Sequence, residues 1–285
     1  MKFYRFIGLV LFFTLNIYAQ NYKELAIKNR KGLLNKILTN KEIVVGVQKN
    51  HLPYTTENIR YPGIDVEIIQ LLCKYLEINY KLVYGNIDEL IIWTSNKQVD
   101  LSFGGVSTDI QRSLAVNFSY PYLITTPAGI LNKAKLPRES LAIDFPKTKI
   151  QNIGDIVQLP KLKIAVKANT IYQTLLEENT EFLRHEIIVY KTNQDALDSV
   201  LNGENDLFIS DLILIKAYAI KNPTITERFH LILDTYIQEY VSIMVPPDEI
   251  ELLLFINTFI KQIEINGKLK AIVSKYLESR NWLSQ

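Results

Sequence analysis

The sequence predicts an α/β protein of two lobes, each built on a largely parallel sheet covered on both faces. Three observations carry that prediction. Short apolar runs of strand length alternate with segments whose apolar residues recur at helical spacing, the order of βαβ units. The series runs from Glu42 to Gly105, breaks over Lys133 to Lys161, and starts again at Leu162. The chain has 285 residues, more than one ordinary core needs.

The first nineteen residues stand apart from that series. Lys2 and Arg5 precede an apolar stretch from Phe6 to Ile17, and a small residue, Ala19, closes it. A basic start, a short apolar core and a small end describe a secretory signal peptide, too short for the roughly 20 residues that span a bilayer. No cysteine follows it for a lipid anchor, and no later segment is long and apolar enough to span. Residues 20–41 are polar and Lys-rich, with Leu25, Leu33, Leu34 and Ile37 loosely at helical spacing, and read as a leading helix or tether.

Ile43 to Val47 is an apolar run suited to a buried parallel strand. Asp65 can cap a helix carrying Val66, Ile69, Leu72, Cys73 and Leu76 on one face. A strand at Tyr80–Tyr84, a helix near Ile87–Thr94 and a strand ending at Gly104-Gly105 follow. Three prolines (Pro137, Pro146, Pro160) mark Lys133–Lys161 as a connection. Beyond it the pattern gives strands at Leu162–Val166, Glu186–Tyr190 and Asp206–Ile209, and helices at Tyr172–Glu178, Asp195–Leu201 and Leu212–Ile220. A strand at Tyr240–Val245 and two helices divided by Gly267 complete the chain. In such lobes ligands sit beyond the carboxyl ends of strands, so two lobes set together make a cleft.

Composition narrows the function. Without its first nineteen residues the chain carries 30 basic and 30 acidic residues. A neutral body lacks the basic footprint a nucleic-acid binder needs. The single cysteine, Cys73, excludes an internal disulfide and reads as core, and no CxxC or HExxH spacing points to a metal site. No cofactor is expected. His185 and His230 read as surface or satisfied residues.

Chemistry concentrates in Gly104-Gly105-Val106-Ser107-Thr108-Asp109-Ile110-Gln111-Arg112. Glycines let backbone approach a ligand, Ser107 or Asp109 can cap a helix starting near Ile110, and Arg112 can grip a carboxylate through two hydrogen bonds. By itself the stretch is better explained by an ordinary capped helix with an exposed arginine.

From about Glu42 to Trp282 the chain resembles the extracellular solute-binding proteins of family 3, the polar-amino-acid binding proteins of ABC transporters. The resemblance rests on motifs in order. They are Val45-Gly46-Val47 with Pro53-Tyr54, then Gly63-Ile64-Asp65-Val66, then Asn86 to Leu90, then Val99-Asp100 with Gly105. Phe118-Ser119-Tyr120-Pro121-Tyr122, Asn205 to Asp211 and Asn266-Gly267-Lys268-Leu269 follow. It implies the two-lobed type II periplasmic-binding-protein fold, two mixed mostly parallel sheets with a ligand cleft between lobes. Lobe 1 would comprise residues 42–128 and 238–285, and lobe 2 residues 129–237.

The resemblance also implies a site. Arg112 would clamp a ligand's α-carboxylate, with Ser107 and a backbone contact at Gly105. From the second lobe Thr170 and Lys167 would approach, and Asp211 would meet the ammonium. His51 and Tyr54 complete the expected ligand-binding set. The chain departs from the family where His51 and Ile87 replace two aromatic rings, Gln48 replaces an acid, and Asn169 replaces a glycine. Residues near Gly129–Asn132 and Asp234–Gln238 would be the hinge. The implied protein is a periplasmic, exported monomer that hands a small-molecule ligand to an ABC-transporter permease. The alternative is an enzyme like the cyclohexadienyl dehydratases, whose general acid would be a cleft carboxyl; Glu57, Glu177 and Glu239 are candidates by residue type alone.

Overall fold

The computed structural model describes residues 22–137, 150–233 and 237–283. The expected signal peptide and part of the proline-marked connection lie outside the described residues.

Five strands form the first sheet: β1 (Glu42–Val47), β2 (Asn79–Tyr84), β3 (Leu101–Ser102), β4 (Asn117–Thr125) and β10 (Glu239–Val245), in the order β2-β1-β3-β10-β4. The second holds β5 (Pro127–Asn132), β6 (Lys163–Lys167), β7 (Glu186–Tyr190), β8 (Leu207–Asp211) and β9 (Phe229–Ile232), in the order β7-β6-β8-β5-β9. In each sheet four strands point one way and one runs against them, β10 in the first and β5 in the second. The architecture is the α/β, two-lobed one expected.

The central strands form where apolar runs allow burial on both faces. Ile43, Val45 and Val47 of β1, and Ile164, Ala165 and Val166 of β6, are almost completely buried. Each large aliphatic buried this way contributes about 1.5–3 kcal/mol. The helices of the first lobe are α1 (residues 22–29), α2 (Gly32–Asn40), α3 (Ile64–Leu76), α4 (Ile87–Ser95), α9 (Ile250–Ile265) and α10 (Lys268–Leu277). The second lobe adds α5 (Ile171–Glu178), α6 (Asn193–Leu201), α7 (Leu212–Lys221) and α8 (Ile225–Arg228). Helix α2 is more than a tether. Its Leu33, Leu34, Ile37 and Leu38 are buried in the same core as Leu252 and Ile256 of α9.

Several expectations are corrected. Gly63, not Asp65, precedes α3. Its φ is +112° and an added Cβ would fall 2.2 Å from the Tyr54 carbonyl oxygen, so only glycine fits there. Asp65 is instead buried inside the helix's first turn. No α-helix begins near Ile110; a three-residue 3-10 turn, Arg112–Leu114, stands there. The Asp109 carboxylate accepts the backbone N–H groups of Gln111 and Arg112 at 2.8 and 3.0 Å, which closes the turn locally. In the connection, Ile153–Gln158 forms a 3-10 segment whose Ile153 and Ile156 are buried in the second lobe's core.

The passage between lobes also differs from expectation. The chain leaves the first sheet after Thr125 and enters the second at Pro127, which already pairs with Asp211. Gly129–Asn132, expected near the hinge, form the last four residues of β5 and pair with β8 and β9 inside the second sheet. The return falls between Ile232 and Glu239, a span that includes residues outside the described set.

Candidate functional site

The carboxyl ends of β1, β3, β6 and β8 meet where the lobes face each other. The loop after β1 supplies Gln48 and His51, and the Gly104-Gly105 loop after β3 supplies Ser107 and Arg112. Lys167 ends β6, Thr170 caps α5, and Asp211 ends β8 and caps α7. Gly105, Ser107, Arg112, Lys167, Thr170, Asp211 and His51 all line one interlobe cavity. It holds about 30 Å³ and opens toward an outer cleft of about 730 Å³. Tyr54, the eighth residue expected there, is completely buried behind it.

Arg112 donates from Nη1 to the Ser107 carbonyl and from Nη2 to the Asn169 carbonyl, both at 3.0 Å. The second bond crosses from one lobe to the other. Burial lowers the guanidinium's pKa from its ordinary value, yet Arg112 belongs to none of the ion pairs among the described residues. A fork of this kind, held by neutral carbonyls, is a receptor for an anion.

Asp211 serves two roles. Its Oδ1 accepts the Leu214 N–H at 2.8 Å as a helix cap and the Tyr54 hydroxyl at 3.2 Å. Burial pushes its carboxyl up to about 6, against the pull of those bonds. At neutral pH it therefore carries most of a negative charge. Arg112 and Asp211 thus offer opposite charges to a single cavity from opposite lobes.

The remaining expected residues are arranged around this pair. Lys167 donates to Gln48 Oε1 across the lobes at 2.6 Å, and burial brings its ammonium down to about 8. Gln48 Nε2 donates to the Gly104 carbonyl and lies 3.0 Å from His51 Nδ1. His51 tilts against Tyr54 with ring centres 5.0 Å apart. Burial, then the nearby Lys167 charge, drop its pKa to about 3, so the imidazole stays neutral. Thr170 donates to the Lys167 carbonyl at 2.8 Å. Ser107 donates its hydroxyl to Glu239 at 3.0 Å.

Gly105 needs to be glycine for two reasons. Its φ is +61°, and an added Cβ would stand 2.7 Å from the Tyr54 ring. Gly105→Ala should therefore displace Tyr54, loosen its bond to Asp211 and cost about 1–3 kcal/mol of stability. Urea unfolding of the variant would measure the loss; unchanged stability would show that the ring yields freely.

Four further groups shape the site, and the sequence pointed to them weakly. Asn169 stands where glycine was expected, with φ +58°, a conformation asparagine tolerates better than most residues. Its side chain donates to Asp88 on the first lobe. Tyr172 donates to Glu239 at 2.7 Å, again between lobes. Burial pushes Glu239 up to about 7, and its Oε1 is buried without a partner. Asp65 accepts the Tyr122 hydroxyl at 2.7 Å. It also faces the N–H groups of Gly104 and Gly105, so it braces the loop that carries the site; burial nevertheless takes it up to about 7. A buried acid in an apolar helix face was the available signal for Asp65. Nothing local distinguished Glu239.

The other candidates do not line the inner cavity. His185 Nδ1 accepts the Leu162 N–H at 3.1 Å, and Cys73 is buried in the first core. Glu177 bonds Gln173, and Glu57 bonds Asn50. Among the described residues no group of three or more His, Cys, Asp or Glu could hold a metal ion.

Residues 43–279 match the family model of bacterial extracellular solute-binding proteins, family 3. The chain belongs to that family. Among curated relatives it is 24% identical over 248 residues to an L-arginine-binding protein of Pseudomonas aeruginosa, covering 83% of this chain and 88% of that one. It is 23% identical over 190 residues to the cyclohexadienyl dehydratase of the same species, covering 66% of each. A putative ABC-transporter binding component from Wolinella succinogenes, solved with lysine, superposes with a TM-score of 0.74. That structure is 21% identical, with 86% of this chain and 99% of that one covered, and it shares the fold.

Proposed function

We propose that this solute-binding protein captures an amino acid between its lobes and presents it to an ABC-transporter permease, without changing it chemically. The observation that carries the reading is the unpaired Arg112 and the Asp211 carboxylate lining one cavity from opposite lobes. A zwitterion needs a guanidinium at one end and a carboxylate at the other. The relatives named for amino acids support the reading. The basic-then-apolar start at residues 1–19 supports export to the periplasm.

The mechanism follows from the geometry. A cavity of about 30 Å³ holds water but no amino acid, so the lobes must part to admit one. The ligand's carboxylate docks on Arg112, replacing the Asn169 carbonyl. Reclosure brings Thr170 and Asp211 onto it, and closure is favoured because the ligand binds the closed state better. Calorimetric titration of the purified protein with the twenty amino acids should give saturable binding to at least one. No heat from any of them would remove this reading.

One observation gives the enzymatic reading some support: Glu239 is a buried carboxyl that holds its proton near neutrality, as a general acid must. It does not line the cavity, however, and reaches it only through Ser107 and Tyr172. Incubation with prephenate should leave the substrate intact; release of carbon dioxide and an aromatic product would reverse the assignment.

A further inference from the structure

Resting on the amino-acid reading above, we infer that the cleft selects an amino acid with an acidic side chain. Arg112 and Lys167 both line the inner cavity, and neither forms an ion pair among the described residues. Asp211 is the ionised acid that lines the same cavity. Once a zwitterion places its carboxylate on Arg112 and its ammonium on Asp211, Lys167 is left without an anion.

Lys167 is also where a side chain has to pass. It lines both the inner cavity and the outer cleft, together with His51 and Asn193. A ligand held at its α-carbon between Arg112 and Asp211 therefore projects its side chain past the Lys167 ammonium. The outer cleft continues the sign, with Lys49, Lys191 and Lys221 against Glu57 and Glu89.

No first-lobe carboxylate among the described residues pairs with that charge; Asp88 acts on it only from beyond ion-pair distance and accepts from the Asn169 side chain. Lys167 faces the side-chain oxygen of Gln48, a neutral acceptor. Gln48 is fixed in this sense because its amide nitrogen donates to the Gly104 carbonyl. A carboxylate in its place would neutralise Lys167 but set an oxygen against that carbonyl. His51, on the same wall, is neutral. A side-chain carboxylate exchanges the Gln48 bond for a charge-assisted one, roughly twice as strong. A cationic side chain would meet a like charge in a partly desolvated site, a repulsion that rejects it.

Calorimetry on the purified protein at pH 7 tests this with six amino acids: aspartate, asparagine, glutamate, glutamine, lysine and arginine. Aspartate or glutamate should bind at least tenfold more tightly than its own amide and than either cationic amino acid. Lys167→Gln should erase the preference of acid over amide, and Lys167→Glu should turn it toward lysine or arginine. Wild-type binding of arginine, lysine or an amide as tight as that of the acids would overturn the inference and leave the amino-acid reading standing. Absence of binding by every amino acid would take both away.

Discussion

Arg112→Ala should lower amino-acid affinity by about a hundredfold to a thousandfold. Each hydrogen bond from a charged donor to a carboxylate is worth about 1.5–3 kcal/mol, and the guanidinium can make two in parallel. A loss of about 3–4 kcal/mol corresponds to that range of dissociation constants. The fold should survive, because Arg112 is only partly buried and sits on a three-residue turn outside both sheets. Removing it also deletes one of the bonds that tie the lobes together, the one to the Asn169 carbonyl, and leaves those of Lys167, Asn169, Tyr172 and Tyr54 in place, so the ligand-free protein should shift toward the open state, detectable as a larger radius of gyration in solution scattering. Arg112→Lys should recover part of the affinity, since an ammonium keeps the charge but loses the fork. Calorimetry of the three proteins against the tightest ligand decides it. Equal affinities would mean the carboxylate docks elsewhere.

Stability should fall as pH rises from about 6 to 8, and Asp65 should be a principal cause. Its carboxyl is raised from 3.8 to about 7 by burial, and that of Glu239 from 4.5 to about 7. Asp211 is raised to about 6. An acid raised in this way keeps its proton in the folded chain after the unfolded chain has released it. Its contribution is complete below the unfolded pKa and disappears as pH climbs through the folded one. His51, lowered to about 3, acts in the opposite direction between about 3 and 6.5, where the unfolded chain binds the extra proton. Above 6.5 that opposition fades, and Lys167, lowered to about 8, begins to oppose the fall only near the top of the interval. The slope in this window should approach about 1.4 kcal/mol per pH unit for each proton by which the two states differ. Asp65→Asn removes one such group and should flatten the slope accordingly. Urea unfolding at pH 6, 7 and 8 measures it; stability rising across that interval would contradict the assignment.

Of the fold, the parallel strands and their helices were legible, and the reason is local. β1, β6 and β8 are buried on both faces and so are written as continuous apolar runs. Strands β4 and β9 escaped that reading. β4 carries Pro121 and mixes exposed with buried residues, while β9 has four residues. Both owe their conformation to a partner distant in sequence, β10 for β4 and β5 for β9. Asp65 shows the same limit from the other side. An acid before an apolar helix face looks like a cap, and only the placement of Tyr122 shows that it is buried instead.

The site divides similarly. The sequence by itself determined the two α/β lobes, because each strand and helix is written in local periodicity; Arg112, Ser107, Gly105, Lys167, Thr170 and Asp211 were named through the family resemblance that its motifs carry. Tertiary structure alone decided that these residues share a cavity, that Tyr54 stands behind it, and that Lys167 faces a neutral Gln48 rather than an acid. It also decided the protonation of Asp65, Asp211 and Glu239. Residue type supplies an ordinary pKa and a hydrogen-bonding capacity. Burial and the charges brought near by folding set the working values, and those depend on contacts between segments that no local window contains.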